Sequence, residues 1–348
     1  MFILAFDFYT MTIIRKLLVP FVPIYYVVTW LRNKCYDLGW KSSKSFDLPV
    51  ICVGNLSTGG TGKTPTIEYL IRLLKADYKV ATLSRGYKRE TQGFMLADGN
   101  ASARTIGDEP YQFYRKFKDI VVGVGANRQH GISELIAQQN PDLILLDDAF
   151  QHRKVLAGFN ILLTSYTNLY CDDIVLPTGN LREPRSGAKR ANLIVVTKCP
   201  NSLSDKDKER TIKKLKPLAH QTVFFSVISY AKEVRNSNDT LKLKALKGKT
   251  ITVVTGIANP KPFVDYLEGE GLTFKHLSFK DHHDFSISEI EALKKKSIIL
   301  TTEKDYVRLK DNFKSNPSQL YYLPITFQIG QQEAFNKQVK SFVNTNTN

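Results

Sequence analysis

The sequence predicts an α/β protein. It combines a mostly parallel sheet domain, a second and smaller α/β domain, and a hydrophobic helix near the N-terminus. Three observations carry this expectation. Apolar strands alternate with helical stretches from residue 49 to residue 228, the pattern of a parallel sheet covered on both faces. A glycine-rich turn joins the first of these strands to a helix at residues 54–65. A polar, charged run at 229–249 then separates this series from another strand–helix alternation.

Read in order, the chain divides into 1–44, 45–230, a connection at 231–249, a smaller domain at 250–335 and a tail at 336–348. Its 348 residues exceed one typical domain of roughly 100–200 residues. Residues 17–31, LLVPFVPIYYVVTWL, are the most apolar segment, interrupted by Pro20 and Pro23. Arg15, Lys16, Arg32, Lys34, Lys41 and Lys44 surround it against Asp37 alone. That pattern suits an interfacial anchor on anionic lipid; a helix packed on its own domain is the competing reading. The segment is short for a full crossing, and no small-residue cleavage site marks it as a secretory signal. Met1 and Met11 are both possible starts.

In the first domain, strands are expected at 49–53, 79–83, 119–124, 142–147, 159–164, 192–196 and 222–228, and helices at 64–75, 109–117, 128–139 and 204–216. The smaller domain has expected strands at 250–255, 273–279, 297–301 and 320–328, with helices at 261–269, 287–296 and 303–310. The polar end Asn344–Asn348 reads as frayed.

The net charge of +16 asks for an anionic partner: nucleic acid, a phosphorylated substrate or an acidic membrane surface. No nucleic-acid recognition motif is present, and nothing points to an obligate protein partner. Four scattered cysteines without a C-x-x-C pair fit a reducing compartment rather than a disulfide framework or a zinc site.

The stretch VICVGNLSTGGTGKTPTIEYL at 50–70 has the order of a P-loop: apolar strand, glycine turn, Gly-Lys-Thr, helix. Ser57, Thr58, Gly59, Gly60, Thr61, Gly62, Lys63 and Thr64 would wrap the phosphates of a nucleoside triphosphate with backbone N–H groups at a helix N-terminus. Lys63 would reach the terminal phosphates and the Thr64 hydroxyl would ligate Mg²⁺. Ser57 stands where the motif has its first glycine. Leu143–Asp147 followed by Asp148 is an apolar strand ending in two carboxylates, the form of a Mg²⁺-holding element. Thr197-Lys198-Cys199-Pro200 lacks the aspartate by which GTPases read guanine, which argues against that class.

Four other clusters admit two readings each. Asp108 in Gly107-Asp108-Glu109-Pro110 either caps a helix or takes a proton from an attacking hydroxyl. Arg182 and Glu183 in Asn180-Leu181-Arg182-Glu183-Pro184 either clamp phosphate and metal or lie on a surface loop. The basic run Ser84–Arg89 either receives a phosphate or is solvated. His282 and His283 sit in a polar loop, or one of them, oriented by an acid, serves in proton transfer.

Taken together, GNLSTGGTGKTP (54–65), LSRGYKR (83–89), GDEP (107–110), LLDDAFQHR (145–153), NLREP (180–184), TGIANPKPF (255–263), DHHDF (281–285) and TTEKDYVRL (301–309) resemble the lipid A 4′-kinase family, also called tetraacyldisaccharide 4′-kinases. The resemblance implies transfer of the ATP γ-phosphate to the 4′-hydroxyl of an anionic glycolipid, tetraacyldisaccharide 1-phosphate, with Mg²⁺. It implies that this occurs at the cytoplasmic face of the bacterial inner membrane, with the N-terminal helix on the lipid. It further implies Lys63, Asp108 and His282 as catalytic residues, with Asp108 as the base and His282 supporting it. Thr64, Asp147, Asp148 and Glu183 would be metal ligands, and Asn55, Arg85 and Arg182 would face the substrate. A membrane-associated P-loop ATPase that switches a partner is the alternative reading of the same motifs.

Overall fold

The computed structural model describes Arg15 and residues 17–347. The choice between Met1 and Met11, and the contribution of Lys16 to the basic flank, fall outside these residues. An apolar helix, α1 (Val22–Asp37), precedes the first strand, β1 (Val50–Asn55). All six residues of β1 are buried, as a central parallel strand requires. The P-loop helix α2 (Lys63–Leu74) buries Ile67, Leu70, Ile71 and Leu74, one apolar stripe at helical spacing.

The large sheet continues through β2 (Val80–Ser84), β3 (Met95–Leu96), β4 (Val121–Val124), β5 (Leu143–Asp147), β6 (Phe159–Ser165), β7 (Leu193–Thr197) and β8 (Thr222–Tyr230). Between them lie the helices α3 (Ala103–Ile106), α4 (Asp108–Lys116), α5 (Arg128–Gln139) and α6 (Asp205–Leu215). The short β3 and α3 carry no periodicity and were not expected.

The smaller sheet contains β9 (Glu233–Arg235), β10 (Thr240–Lys242), β11 (Ile251–Thr255), β12 (Phe274–Ser278), β13 (Ile298–Thr302) and β14 (Leu320–Leu323). Its helices are α7 (Lys261–Gly269), α8 (Ile287–Lys294) and α9 (Glu303–Leu309), and β15 (Ile325–Ile329) and α10 (Gln332–Asn346) close the chain.

The nine-stranded sheet has the order β15-β8-β7-β6-β1-β5-β2-β4-β3. Its interior strands are parallel, and only the edge strands β3 and β15 are antiparallel to their neighbours. From β1 the chain first fills one side, β2, β3 and β4, returns to β5 beside β1, and then crosses to β6 on the other side of β1. This reversal marks the crevice where open α/β sheets bind ligands. The register sets Val53 of β1 opposite Asp147 of β5, so the P-loop and the acidic pair emerge side by side.

Three expected boundaries are corrected. Residues 231–249 are not a connection, because they supply β9, β10 and a 3₁₀ turn to the smaller sheet. There Val234, Leu243 and Leu246 are buried with Val253 and Phe263. The strand expected at 320–328 is broken by Pro324, which has no N–H for a ladder. Its first half stays in the smaller sheet, while β15 pairs antiparallel with β8 at the edge of the large one. The 250–335 domain therefore ends near Pro324. The tail at 336–348 is mostly helix α10: Phe335, Val339 and Val343 are fully buried in the large lobe's core. Their spacing of four residues was readable in the sequence.

Phe335→Ala should cost about 3–5 kcal/mol, as for other buried aromatic truncations. A lower denaturation midpoint with an unchanged slope would register it. A free tail would leave the midpoint where it is.

Candidate active site

The P-loop is held open by glycine and pinned by its neighbours. Positive φ falls on Gly59 (109°) and Gly62 (84°), and not on Ser57. Ser57 instead makes an isolated antiparallel bridge with Leu181. The Thr58 N–H donates to the Asn180 carbonyl at 2.7 Å, and the Arg182 N–H donates to the Leu56 carbonyl at 2.7 Å. Position 57 is thus extended backbone, where serine costs nothing. Gly62 has no such freedom: a Cβ there would lie 2.7 Å from Ile228 Cδ1. The Thr197 hydroxyl donates to the Thr61 carbonyl at 2.8 Å, tying the far side of the loop to β7.

Lys198, the next residue, has a left-handed φ of 55°. Its ammonium would be 3.8 Å from a Cβ on Gly60, so it overlies the loop; the residue as a whole is exposed, and partial desolvation over the loop pulls its pKa down. Lys198 carries no role in the sequence motifs, and its place directly after a buried strand is the one signal for it.

The two carboxylates after β5 have different surroundings. Asp148 turns out of the strand with φ at 49°. Lys63 Nζ lies 3.6 Å from its Oδ1, and Arg182 grips both of its oxygens at 3.0–3.2 Å. Burial opposes its ionisation, but Lys63 and Arg182 outweigh that and hold its carboxyl below the ordinary range. Lys63 also donates to Asn55 Oδ1 at 3.3 Å.

Asp147 is 2% exposed. Its Oδ2 accepts from the Ser84 hydroxyl at 3.2 Å, while its Oδ1 is buried without a partner among the described residues. Burial first, then the charges of Glu109 and Asp148, push its pKa up to about 7. A buried, unpartnered carboxylate oxygen beside the P-loop suits a hard divalent cation such as Mg²⁺. Thr64, the second residue of α2, supplies a hydroxyl nearby in the chain. Among the described residues no group of three or more His, Cys, Asp or Glu side chains gathers as a metal centre.

Glu183 departs from its expected place among the metal ligands. It is wholly buried and its oxygens are engaged. Gln151 donates to it at 2.9 Å, Asn33 at 2.5 Å, and Arg190 at 2.7 and 3.1 Å. A carboxylate with four such donors has no lone pair left for a cation, so it is an organising group behind Arg182. Arg85 lies exposed on the loop after β2; among the described residues it forms no ion pair.

The second lobe contributes the other half of the site. His282, with φ at 57°, places Nδ1 2.7 Å from Asp108 Oδ2. Lys304 Nζ lies 3.2 Å from His282 Nε2. Arg308 Nη2 also lies 3.0 Å from His282 Nδ1, so imidazole and guanidinium converge on the same carboxylate. Gly107 occupies the cap position of α4, so Asp108 is released from the capping alternative. Its side chain points across the lobes.

Arg308 in α9, unassigned in the sequence reading, donates Nε to Asp108 Oδ1 at 3.0 Å and Nη2 to its Oδ2. It is braced in turn by Asp305 at 3.1 Å. Burial opposes ionisation of Asp108, but the His282 and Arg308 hydrogen bonds and the Arg308 charge hold its carboxyl far below the usual range. The next residue, Glu109, reaches Asp147 electrostatically, so the start of α4 faces the P-loop site and the second lobe together. His283 bonds Glu289 at 3.0 Å and stacks on Phe279, away from Asp108.

Residues 14–344 match the family described as LpxK, tetraacyldisaccharide-1-P 4′-kinase. The chain belongs to this family. It is 52% identical to the tetraacyldisaccharide 4′-kinase of Flavobacterium johnsoniae, over 97% of this chain and 99% of that one. It is 43% identical to that of Bacteroides thetaiotaomicron, over 96% and 94%. The fold is similar to a crystal structure of LpxK from Aquifex aeolicus in complex with ATP. That match has a TM-score of 0.78 and 29% identity, covering 95% of this chain and 99% of that one. The two-lobed α/β architecture is thus that of the tetraacyldisaccharide 4′-kinase family.

The Asp108–Arg308 pair predicts a pH dependence of stability. A carboxyl depressed in the folded state adds stability above its unfolded pKa of about 3.9, lost as pH falls through the folded value. Urea midpoints of wild type and Arg308→Gln should therefore differ most at pH 5–7 and converge below pH 4. A gap that is constant down to pH 2 would mean the pair contributes nothing through Asp108.

Proposed function

We propose that this chain is an ATP-dependent kinase that transfers the γ-phosphate to the 4′-hydroxyl of tetraacyldisaccharide 1-phosphate in lipid A biosynthesis. Family membership gives the reaction class. The observation that carries the reading is the arrangement around the start of α4. Asp108 is gripped by a histidine and an arginine of the opposite lobe, and its neighbour Glu109 lies within electrostatic reach of the acidic pair beside the P-loop.

The backbone N–H groups of residues 59–64 and the Lys63 ammonium bind the ATP phosphates; of the expected run 57–64, Ser57 is paired with Leu181 and the Thr58 N–H is taken by the Asn180 carbonyl. Thr64 and Asp147 would hold Mg²⁺, which when bound neutralises charge on the transferring group. Asp148 takes a different part: it ties Lys63 to Arg182 and so fixes both cations where negative charge develops.

Asp108 accepts the proton of the attacking hydroxyl. Arg308 keeps it ionised throughout the working pH range and makes it a weak acceptor. A loose phosphoryl-transfer transition state asks little of the nucleophile early, so a weak base that receives its proton late is adequate. His282 orients the carboxylate through Nδ1–H. Arg85, exposed after β2, and Arg182 would meet an anionic acceptor, whereas Asn55 is fully buried and holds Lys63 instead of facing the substrate as expected.

Helix α1 supports a lipid-surface reading. Phe21, Ile24, Val27, Val28 and Leu31 are 49–61% exposed along one stripe, with Arg15, Arg32 and Lys34 nearby. No helix of the described residues is long and apolar enough to cross a membrane. A short apolar helix lying in the headgroup region with cations at its flanks fits both facts. The cytoplasmic face of the inner membrane, where ATP and glycolipid meet, is the corresponding location.

Two outcomes are expected. Purified protein in detergent micelles with Mg²⁺-ATP and the acylated disaccharide 1-phosphate should place γ-phosphate label on the lipid. Asp108→Ala should lower that rate by about 10²–10⁴-fold, the usual worth of a general base. ATP hydrolysis without labelled lipid would favour the switch ATPase, and an unimpaired Asp108→Ala variant would remove Asp108 as the base. Separately, Ile24→Glu with Val28→Glu should release the protein from anionic vesicles in a sedimentation assay. Unchanged binding would end the anchoring role.

A further inference from the structure

Helix α1 is exposed and apolar along most of its length, yet its one buried residue is polar: Asn33, 8% exposed. Its Nδ2 donates to Glu183 Oε2 at 2.5 Å. Two other side chains of the helix reach the same region. The Tyr25 hydroxyl donates to the Arg182 carbonyl at 2.9 Å, and Arg32 donates to the Gln151 carbonyl at 2.7 Å.

From Glu183 the contacts continue inward. Glu183 accepts from Gln151 Nε2 at 2.9 Å, and that same amide also donates to the Asn55 carbonyl at 2.9 Å. Gln151 Oε1 faces Arg182 Nη1 at 3.4 Å, and Arg182 grips Asp148, which pairs with Lys63. Every step from Asn33 to the P-loop lysine is a hydrogen bond or ion pair between residues that the kinase reading uses or that directly support them.

We propose that Asn33 is a positioning residue for phosphoryl transfer. Through Glu183 and Gln151 it sets the placement of Arg182 and hence of Lys63, so the N-terminal helix is part of the active site as well as its lipid-facing surface. The inference rests on the kinase reading of the site. The physical basis is that Glu183 is a fully buried carboxylate whose oxygens must all be satisfied. Withdrawing one donor leaves Oε2 with only the longer Arg190 contact at 3.1 Å, and the group relaxes toward Arg190 and away from Gln151. A hydrogen bond to a buried charged group is worth enough that its loss, expressed in the transition state, lowers kcat by about tenfold or more.

The test uses the full chain in detergent micelles, with wild type transferring label to lipid in the same assay as the control. Three properties of Asn33→Ala are compared: kcat at saturating lipid, affinity for a fluorescent ATP analogue, and co-sedimentation with anionic vesicles. The expected result is a kcat at least tenfold lower and a several-fold weaker affinity for the nucleotide, with vesicle binding changed less than twofold. In a Glu183→Gln background, Asn33→Ala should add less than twofold, because both changes act on one path.

Asn33→Leu, of similar volume but without a donor, keeps the helix packed and guards against a folding failure. Its kcat should fall as far as that of Asn33→Ala. A kcat for Asn33→Leu within twofold of wild type, multiplicative effects with Glu183→Gln, or loss of vesicle binding in proportion to activity would each overturn the proposal and leave the helix an anchor only. If wild type labels no lipid, the kinase reading fails first, and the nucleotide affinity of Asn33→Ala still decides whether the helix positions the P-loop.

Discussion

The site depends on one constraint, the parallel pairing of β1 with β5 in a register that sets Val53 beside Asp147. Both strands are buried along their whole length. A slip by one residue would turn each apolar side chain to the other face of the sheet. The fixed register is what allows a lysine on one loop and an aspartate on the next to pair across 3.6 Å. Asp148 can turn out of β5 in a left-handed conformation because β5 itself is held on both sides, by β1 and β2. Strained backbone persists where surrounding structure over-determines it.

From this fixed centre the second lobe is attached at few points. The chain enters it after β8 and returns at Pro324. Between these crossings the contacts with the large lobe are concentrated on α4 and α9. Arg308 and His282 hold Asp108, Lys116 bridges Glu68 and Glu303 at 2.7 Å, and Val307 packs with Ile106 and Tyr111. Polar cross-lobe contacts exceed apolar ones here, the composition of an interface that can open and reclose. The lobe that delivers the Asp108 partners is thus held largely by those partners.

What was legible in the sequence was what depends on local order. The strand–turn–helix of the P-loop and the acidic strand end could be read because each is a contiguous run with its own periodicity. The element borders followed from apolar spacing. The misplaced boundaries share a cause: β9, β10 and β15 are short strands whose sheet membership is decided by distant partners. Helix α10 reads as a tail because the polar run Asn344–Asn348 follows it and masks the four-residue spacing of Phe335, Val339 and Val343. Arg308 and Lys198 were invisible as site residues because nothing local distinguishes an arginine that crosses to another lobe from one in solvent. Glu183 shows the converse. Its neighbourhood in the chain suggests metal, but its actual neighbours, Asn33, Gln151 and Arg190, come from three other places.

Two adjacent carboxylates beside a nucleotide site present an electrostatic difficulty, and the fold resolves it unequally. Asp148 is compensated by fixed cations, Lys63 and Arg182, and stays ionised. Asp147 has Arg128 only at its backbone carbonyl, at 3.4 Å, and one oxygen without a partner. Compensating both with lysine and arginine would have left no vacancy for a cation and surplus positive charge where ATP must bind and its product must leave. Leaving both uncompensated would have raised both pKa values and destabilised the strand ends. One paired and one unpaired acid lets a single divalent cation complete the charge balance when nucleotide arrives, with Lys63 already in place. The unsatisfied oxygen of Asp147 is then a cost to stability that the site requires, and the deep parallel sheet beneath it is what makes that cost tolerable.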